Sequence, residues 1–338
     1  MSTLRLLTLI PVLSLFLVAA CGGGGGSAAP AAGGSNPPPA GGSDPPPATT
    51  GSLTLALTDG PMQAVQDLTL HVGHLELHHA DGRAVRVEPV GGPAAIDVAA
   101  LQNGQMHDLL DRAEVPAGHY RGVDIVIDPD RSHVAFADGS QHPMTFAWPD
   151  GIRVDAPFDV GPGAHAEFVI DFDLRQGLQM HHGAGGHMGG GMSDYYELHS
   201  ATRMIDTGSA GGLVGAVDAS LVNINNAACD SVLGQNQAYL FPASATEPDD
   251  IAEVETDGRP GPLATDRVEL HPGVGEYRYH FAFLEAGSYR VAFSCAGEWD
   301  ESSDDDNPSD PESRFGFQAF SEPVDVIAAE VTVLDIGS

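Results

Sequence analysis

The densest group of potential metal ligands lies in residues 180–192, which hold three histidines and three methionines among many glycines. Imidazole and thioether groups suit copper, and a glycine-rich loop can fold around an ion with little steric hindrance. His199 follows shortly after this segment. The candidate copper ligands are His181, His182, His187, Met188 and Met192. A solvated loop is the simpler interpretation, because the spacing fixes no coordination geometry, and copper binding is the alternative.

An acidic run at residues 300–312 offers the hard oxygen ligands that calcium prefers. Its candidate ligands are Asp304, Asp305, Asp306 and Asp310. The run lacks the residue order and central glycine of an EF-hand, and its uncompensated charges repel one another. A solvated loop is therefore favoured over a calcium site. A second histidine group, His71, His74, His78 and His79, lies along the predicted strand region of residues 68–77. We expect these to be surface or hydrogen-bonded histidines.

The composition and motifs argue against catalysis. The 14 basic residues are all arginine, against 47 acidic residues, which gives a formal charge of -33. Nucleic acid is disfavoured as a partner, and the absence of lysine excludes Schiff-base chemistry and a Walker-type phosphate loop. The sequence also lacks Gly-x-Ser-x-Gly, His-Glu-x-x-His and Cys-x-x-Cys motifs. We expect no enzymatic activity, and a hydrolase with paired carboxylates is the less favoured alternative.

The N-terminus has the features of a bacterial lipoprotein export signal. Arg5 precedes an apolar run at residues 6–18, and small residues lead to Cys21. A run of about 13 residues is too short to cross a membrane as a helix. We predict a signal peptide at residues 1–20, lipid attachment at Cys21, and a Gly/Pro-rich tether over residues 21–50. The residue after Cys21 is Gly22. An aspartate at this position would retain such a lipoprotein at the inner membrane, so Gly22 favours an outer-membrane anchor.

The remaining cysteines, Cys229 and Cys295, form an even pair in an exported chain, so we predict a disulfide between them. Metal ligation by these two residues is the alternative. The bond would close a long loop and stabilise the fold by roughly 4 kcal/mol in the chain-entropy model.

The alternation of apolar and polar residues beyond residue 51 predicts β-strands. The phase of this alternation slips near Gly73, which predicts a β-bulge. Residues 96–112 instead have a helical pattern, interrupted at Gly104. We predict a mainly β fold of two antiparallel β-sandwich domains, Ig-like or prealbumin-like, with one short helix in the first domain.

An internal echo links the two halves of the chain. Residues 116–121 read PAGHYR and residues 285–290 read EAGSYR, and each segment leads into a predicted strand. We expect Tyr120 and Tyr289 to bury their rings and to hydrogen-bond through their hydroxyls at a sandwich edge, as in a tyrosine corner. The echo therefore predicts two related sandwiches.

Five segments in order together resemble the bacterial lipoprotein domain DUF4382 over residues 51–206: residues 51–61, 68–82, 96–104, 116–120 and 171–175. Residues 238–241, 248–251, 277–279 and 283–289 resemble a prealbumin-like sandwich, which is similar to carboxypeptidase regulatory-like and carbohydrate-binding-like domains. The predicted domains are residues 51–208 and 209–338.

The resemblance implies extracytoplasmic binding or scaffolding and supplies no catalytic residues. We therefore expect a lipid-anchored cell-envelope protein that binds an envelope protein or a carbohydrate and contacts the membrane through its lipid. The alternative is a periplasmic lipoprotein that binds copper or calcium through the Met/His-rich or the acidic loop. No cofactor is otherwise expected.

Overall fold

The computed structural model describes residues 49–60, 65–101, 104–181, 195–200, 202–222, 229, 236–251, 259–300 and 315–337. All of them belong to one compact unit. The predicted signal peptide, Cys21 and nearly all of the tether lie outside the described residues. No helix in the described ranges has the length and apolar composition that a membrane span requires.

The N-terminal part contains fourteen described strands. They are β1 (Thr50–Gly60), β2 (Val65–His79), β3 (Ala84–Val87), β4 (Ala94–Asp97), β5 (His107–Pro116), β6 (Gly118–Ile127), β7 (His133–Phe136), β8 (Gln141–Phe146), β9 (Gly151–Val154), β10 (Phe158–Val160), β11 (His165–Asp173), β12 (Leu178–His181), β13 (Tyr195–Leu198) and β14 (Thr202–Asp206). The helix α1 (Leu174–Gly177) follows β11.

These strands form two sheets that enclose a common core. One sheet has the order β14-β11-β1-β5, and the other, centred on β2, has the order β10-β6-β2-β7-β8-β13-β12 with β3, β4 and β9 paired at its sides. Leu53, Leu55 and Leu57 of β1 are fully buried, and so are Leu68 and Leu77 of β2. The alternation in the sequence therefore marks the inner faces of a sandwich, as predicted.

The C-terminal part forms a second pair of sheets. Its elements are β15 (Gly211–Val217), α2 (Ala219–Val222), β16 (Gln237–Pro242), β17 (Ala264–Arg267), β18 (Glu269–His271), β19 (Glu276–Leu284), β20 (Gly287–Ser294), β21 (Ala319–Phe320), β22 (Val324–Val326) and β23 (Val331–Val333). The sheets have the orders β18-β19-β15-β23 and β17-β16-β20-β21, with β22 paired to β20. The predicted mainly β fold is confirmed, and the boundary after residue 208 stays a prediction.

Most strand pairs are antiparallel, but β1 with β11, β13 with β8, and β15 with β23 are parallel. The predicted bulge near Gly73 is present, since the register of β2 against β6 shifts between Val72 and His74. The two predicted tyrosine corners are also present. The Tyr120 hydroxyl donates to the Pro116 carbonyl at 2.6 Å, and the Tyr289 hydroxyl donates to the Glu285 carbonyl at 2.9 Å.

The predicted helix at residues 96–112 is wrong. This segment contains the end of β4, a 3₁₀ turn at Val98–Ala100 and the first half of β5. The pairing of β5 with β1 shifts register on both sides of Leu55, and the neighbouring residues Leu109 and Leu110 are both buried. Two adjacent buried leucines imitate a helical pattern, although a bulged strand produces them. The short helix of this part is α1.

Candidate functional site

The hairpin of β12 and β13 forms one edge of the larger sheet and carries the candidate site. Its register pairs Leu178 with Leu198 and His181 with Tyr195, and the His199 amide donates to the Gly177 carbonyl at 2.8 Å. Side chains opposite each other in such a ladder share a face, and the face changes at each residue. Leu178 and Leu198 turn into the core. The alternate residues therefore turn to the opposite face.

Three side chains of that opposite face converge. The ligand atoms of His181, Glu197 and His199 all lie within 4.8 Å of one another. Glu197 Oε2 is 3.1 Å from His181 Nε2 and 3.3 Å from His199 Nε2. All three side chains are partly exposed. The arrangement gives two imidazole nitrogens and a carboxylate that a single cation could contact, although His181 Nε2 itself is covered.

Neighbouring aromatic residues fix the orientation of the hairpin side chains. The His181 ring stacks on Tyr195, with ring centres 5.1 Å apart and planes inclined by 15°. On the other face, the Tyr196 hydroxyl donates to Met180 Sδ at 3.3 Å. Met180 and His181 therefore point in opposite directions, although they are adjacent in the sequence.

Only part of the sequence-based ligand set can be located. His181 belongs to the converging group, whereas His182, His187, Met188 and Met192 lie outside the described residues. The sequence pattern identifies His199 only as a nearby histidine and does not predict Glu197 as a ligand. The signal for both was the alternation Glu197-Leu198-His199 in a strand, which places the carboxylate and imidazole on the same face. The calcium candidates Asp304, Asp305, Asp306 and Asp310 also lie outside the described part.

In the second histidine group, His74 Nε2 lies 3.4 Å from Glu76 Oε1, and His79 Nδ1 accepts from the Asp81 amide at 3.3 Å. His78 Nε2 lies 2.8 Å from Asp124 Oδ2, and Arg153 donates two hydrogen bonds of 2.8 Å to the same carboxylate. Burial acts to raise the pKa of Asp124, but the hydrogen bonds from Arg153 and His78 outweigh it and lower the pKa. The Arg153 guanidinium also lies over the Trp148 ring, 3.8 Å from its centre.

The helix α1 joins the two sandwiches. Asp173 caps it by accepting from the amides of Arg175 and Gln176 at 3.1 and 3.3 Å. The buried Arg175 then donates to the carbonyls of Gly297 and Asp300 at 2.7 and 3.0 Å. Arg175, the last residue of the segment 171–175, therefore has a structural role: it connects α1 to the C-terminal part. The predicted disulfide between Cys229 and Cys295 is present in the C-terminal part, with Cα atoms 5.1 Å apart.

Comparisons with known proteins support the resemblance of the N-terminal part. Residues 50–189 match the family described as "Domain of unknown function (DUF4382)". No curated protein matches the chain.

Several solved structures align over most of the chain. The Bacillus anthracis TIE protein matches with 8% identity and a TM-score of 0.17, over 84% of this chain and 34% of that one. The minor pilin of Streptococcus agalactiae matches with 10% identity and a TM-score of 0.17, over 84% and 94%. The major pilin subunit of Bacillus cereus matches with 9% identity and a TM-score of 0.17, over 86% and 100%. The alignment thus spans about a third of the TIE protein, and TM-scores this low do not establish a shared fold.

Proposed function

We propose that this chain, with its match to DUF4382 over residues 50–189, is a lipid-anchored, non-catalytic envelope protein that binds a transition-metal cation at His181, Glu197 and His199. The convergence of three ligand atoms within 4.8 Å carries this proposal. Imidazole and carboxylate groups are common ligands of zinc and copper. If no cation binds, these three side chains form only a polar cluster at the surface.

The surroundings of the cluster favour cation binding. The hairpin ladder and the Tyr195 ring hold His181 in place before a metal arrives, which reduces the conformational entropy lost on binding. The formal charge of -33 attracts cations to the molecule as a whole. Partial exposure lets an ion enter from solvent without unfolding the hairpin.

The surroundings of a Ser-His-Glu arrangement in the described part of the chain support the non-catalytic part of the proposal. Ser52 Oγ lies 3.0 Å from His165 Nδ1, and His165 Nε2 lies 3.7 Å from Glu167. A serine nucleophile also needs amide donors for the oxyanion. In the adjoining turn the amides of Gly163 and Ala164 already donate to backbone carbonyls at 2.8 and 3.0 Å.

Metal binding is tested with the purified full chain by equilibrium dialysis against Zn²⁺ or Cu²⁺ followed by elemental analysis. We expect close to one bound ion for each chain, and loss of this ion in the double variant His181→Ala/His199→Ala. The variant His119→Ala is the matched control, because His119 pairs with Asp159 at 3.1 Å and, among the described residues, belongs to no three-ligand group.

A second variant separates the cluster from the Met/His-rich loop. Replacing His182, His187, Met188 and Met192 together by alanine should leave the ion bound. If that variant loses the metal and the double variant keeps it, the binding site is the loop, and the assignment to His181, Glu197 and His199 is wrong.

The lipid anchor is proposed from the N-terminal sequence. Cells grown with a labelled fatty acid should incorporate the label into the wild-type chain and not into Cys21→Ser. A labelled Cys21→Ser protein would contradict the anchor.

A protein or glycan ligand is the second candidate function, and the Trp148 surface favours it. Trp148 is 41% exposed and rests on Arg153, whose partner Asp124 also contacts His78. An aromatic ring beside charged hydrogen-bonding groups suits a sugar or peptide. A glycan and envelope-protein binding screen should show hits that weaken in Trp148→Ala. Equal binding by that variant would remove Trp148 from the proposal.

A further inference from the structure

We propose that Gln179 supplies a fourth ligand to this cation and that the site therefore selects a divalent ion, Zn²⁺ or Cu²⁺, over Cu⁺. This inference rests on the metal site proposed above and specifies its ligand set and its metal class. It changes the expectation drawn from the sequence, in which methionine sulfur and histidine nitrogen would share one copper ion.

The strand register places Gln179 beside the three ligands. Gln179 is directly opposite Glu197 in the β12–β13 ladder, and it precedes His181 by two residues on the same strand. Residues opposite each other have Cβ atoms about 5 Å apart, and residues two apart on a strand share a face. Gln179 therefore projects from the same face as Glu197, His181 and His199.

Gln179 is also a buried amide that lacks a compensating contact. The residue is only 8% exposed, and within the described part of the chain its Nε2 has no hydrogen-bond partner. Burying an amide without a partner costs about 1–3 kcal/mol on protein mutational scales. A cation cannot accept a hydrogen bond from Nε2, so a bound ion would remove this cost only with the amide oxygen in that position.

The side-chain oxygen of Gln179 is the atom that would bind. The nitrogen and oxygen of an amide are distinguished by their hydrogen bonds, and a half-turn of the amide exchanges their positions. Within the described residues Nε2 has no hydrogen-bond partner, so the exchange breaks no hydrogen bond of that atom. The ligand set would then be two imidazoles, one carboxylate and one amide oxygen.

This ligand set determines the class of metal. Thioethers and thiolates favour Cu⁺, whereas imidazole with oxygen ligands suits divalent zinc and copper. The nearest described thioether, Met180, points to the opposite face of the hairpin and accepts a hydrogen bond from Tyr196. The hairpin thus presents nitrogen and oxygen on one face and sulfur on the other.

The test measures affinities of the full chain for Zn²⁺, Cu²⁺ and Cu⁺ by competition with chromophoric chelators. Gln179→Ala should weaken Zn²⁺ and Cu²⁺ binding by about tenfold or more, a loss typical even of residues that only orient a metal ligand. Gln179→Glu, which keeps an oxygen at this position, should restore the affinity. Met180→Ala is the matched control on the opposite face and should bind both divalent ions like the wild type.

A spectroscopic readout distinguishes a ligand from a residue that only supports the fold. Co²⁺ substituted into the site should show a visible absorption spectrum that changes in Gln179→Ala and changes differently in Gln179→Glu. Wild-type affinity and an unchanged Co²⁺ spectrum in Gln179→Ala would overturn the role of Gln179. Preferential Cu⁺ binding that disappears in Met180→Ala would overturn the divalent class.

The outcomes for the double variant keep this inference separate from the proposed function. If His181→Ala/His199→Ala loses the ion while Gln179→Ala binds normally, the metal site stands and the fourth ligand is wrong. If both variants bind like the wild type, the metal site itself is wrong.

Discussion

Three aspartates with raised pKa values, Asp171, Asp173 and Asp266, line a cavity of about 30 Å³ where the sandwiches meet. Burial and the nearby charge of Asp171 raise the pKa of Asp173 to about 6, and burial raises the pKa of Asp266 to about 7. An acid whose pKa is higher in the folded state takes up a proton on folding. Its contribution to stability is therefore largest at low pH and falls as the pH rises from about 4 through 7.

The first prediction concerns Asp266→Asn. The amide cannot ionise, and its oxygen can still accept from the His280 amide, as Asp266 does at 2.6 Å. We expect the variant to gain melting temperature relative to the wild type at pH 8 and to gain less at pH 5. Calorimetry at both pH values checks this, with the exposed Asp130→Asn as control. A gain of equal size at both pH values would contradict the assigned pKa.

The two tyrosine corners allow a matched comparison of a partly buried and an exposed hydrogen bond. Tyr120 is fully buried, whereas the Tyr289 bond lies at the surface. Tyr120→Phe should lower the free energy of unfolding by about 1–3 kcal/mol, since the partly buried Pro116 carbonyl loses its donor. Tyr289→Phe should cost less than about 1 kcal/mol. Urea unfolding measures the loss of unfolding free energy in both variants. A larger loss for Tyr289→Phe than for Tyr120→Phe would contradict the prediction.

At the scale of the elements, the two halves repeat one pattern of strands. In the first, β1 pairs antiparallel with β5 and parallel with β11, while β6, the strand after β5, lies in the other sheet and pairs with β10. In the second, β15, β19, β23, β20 and β22 repeat these pairings. The six-residue echo around Tyr120 and Tyr289 was the sequence trace of this arrangement.

In each half, the first strand passes so close to the segment before its parallel partner that one position fits only glycine. These positions are Gly51 in β1 and Gly211 in β15. A Cβ at Gly51 would lie 2.5 Å from the Gly161 carbonyl oxygen, and one at Gly211 would lie 2.5 Å from the Ile327 carbonyl oxygen. We expect Gly51→Ala and Gly211→Ala each to lower the free energy of unfolding by about 1–3 kcal/mol, the usual cost of overpacking. Gly73→Ala is the control, because its Cβ would meet its nearest atom at 3.5 Å. Equal stability of all three variants in urea would contradict the close backbone contact at Gly51 and Gly211.

The strand alternation predicted most of these elements, because one face of each strand meets the core and the other does not. It failed at residues 96–112, where bulges changed which residues are buried. A bulge depends on the partner strand, and the local sequence does not name that partner. The bulge near Gly73 was predictable only because it interrupts a long, regular pattern.

At the scale of the whole molecule, Arg175 connects the sandwiches. Its side chain is 7% exposed and contacts the carbonyls of Gly297 and Asp300 and the Asp300 carboxylate. Burial acts to lower the pKa of Arg175, but Tyr239, Asp300 and Asp173 outweigh it and raise the pKa. The guanidinium therefore stays charged within the joint between the two halves.

The last prediction is that Arg175→Ala weakens this joint. The change leaves Asp300 buried without its arginine partner, which typically costs about 3–5 kcal/mol. We expect calorimetry to show a lower melting temperature and two separated transitions in place of one. Arg121→Ala, at an exposed arginine of β6 that donates to the Ala80 carbonyl at 3.0 Å, is the control. An unchanged single transition in Arg175→Ala would contradict the role of the joint.

The sequence by itself determined the mainly β fold, the disulfide, the two tyrosine corners and the resemblance to DUF4382. These features depend on local alternation, on the pairing of cysteines in a chain whose sequence predicts export, or on short motifs. Only the tertiary structure brought Glu197 and His199 to His181 and turned Met180 to the other face. The reason is physical: residue types show which atoms are able to bind a metal, but the strand register decides which of those atoms share one face.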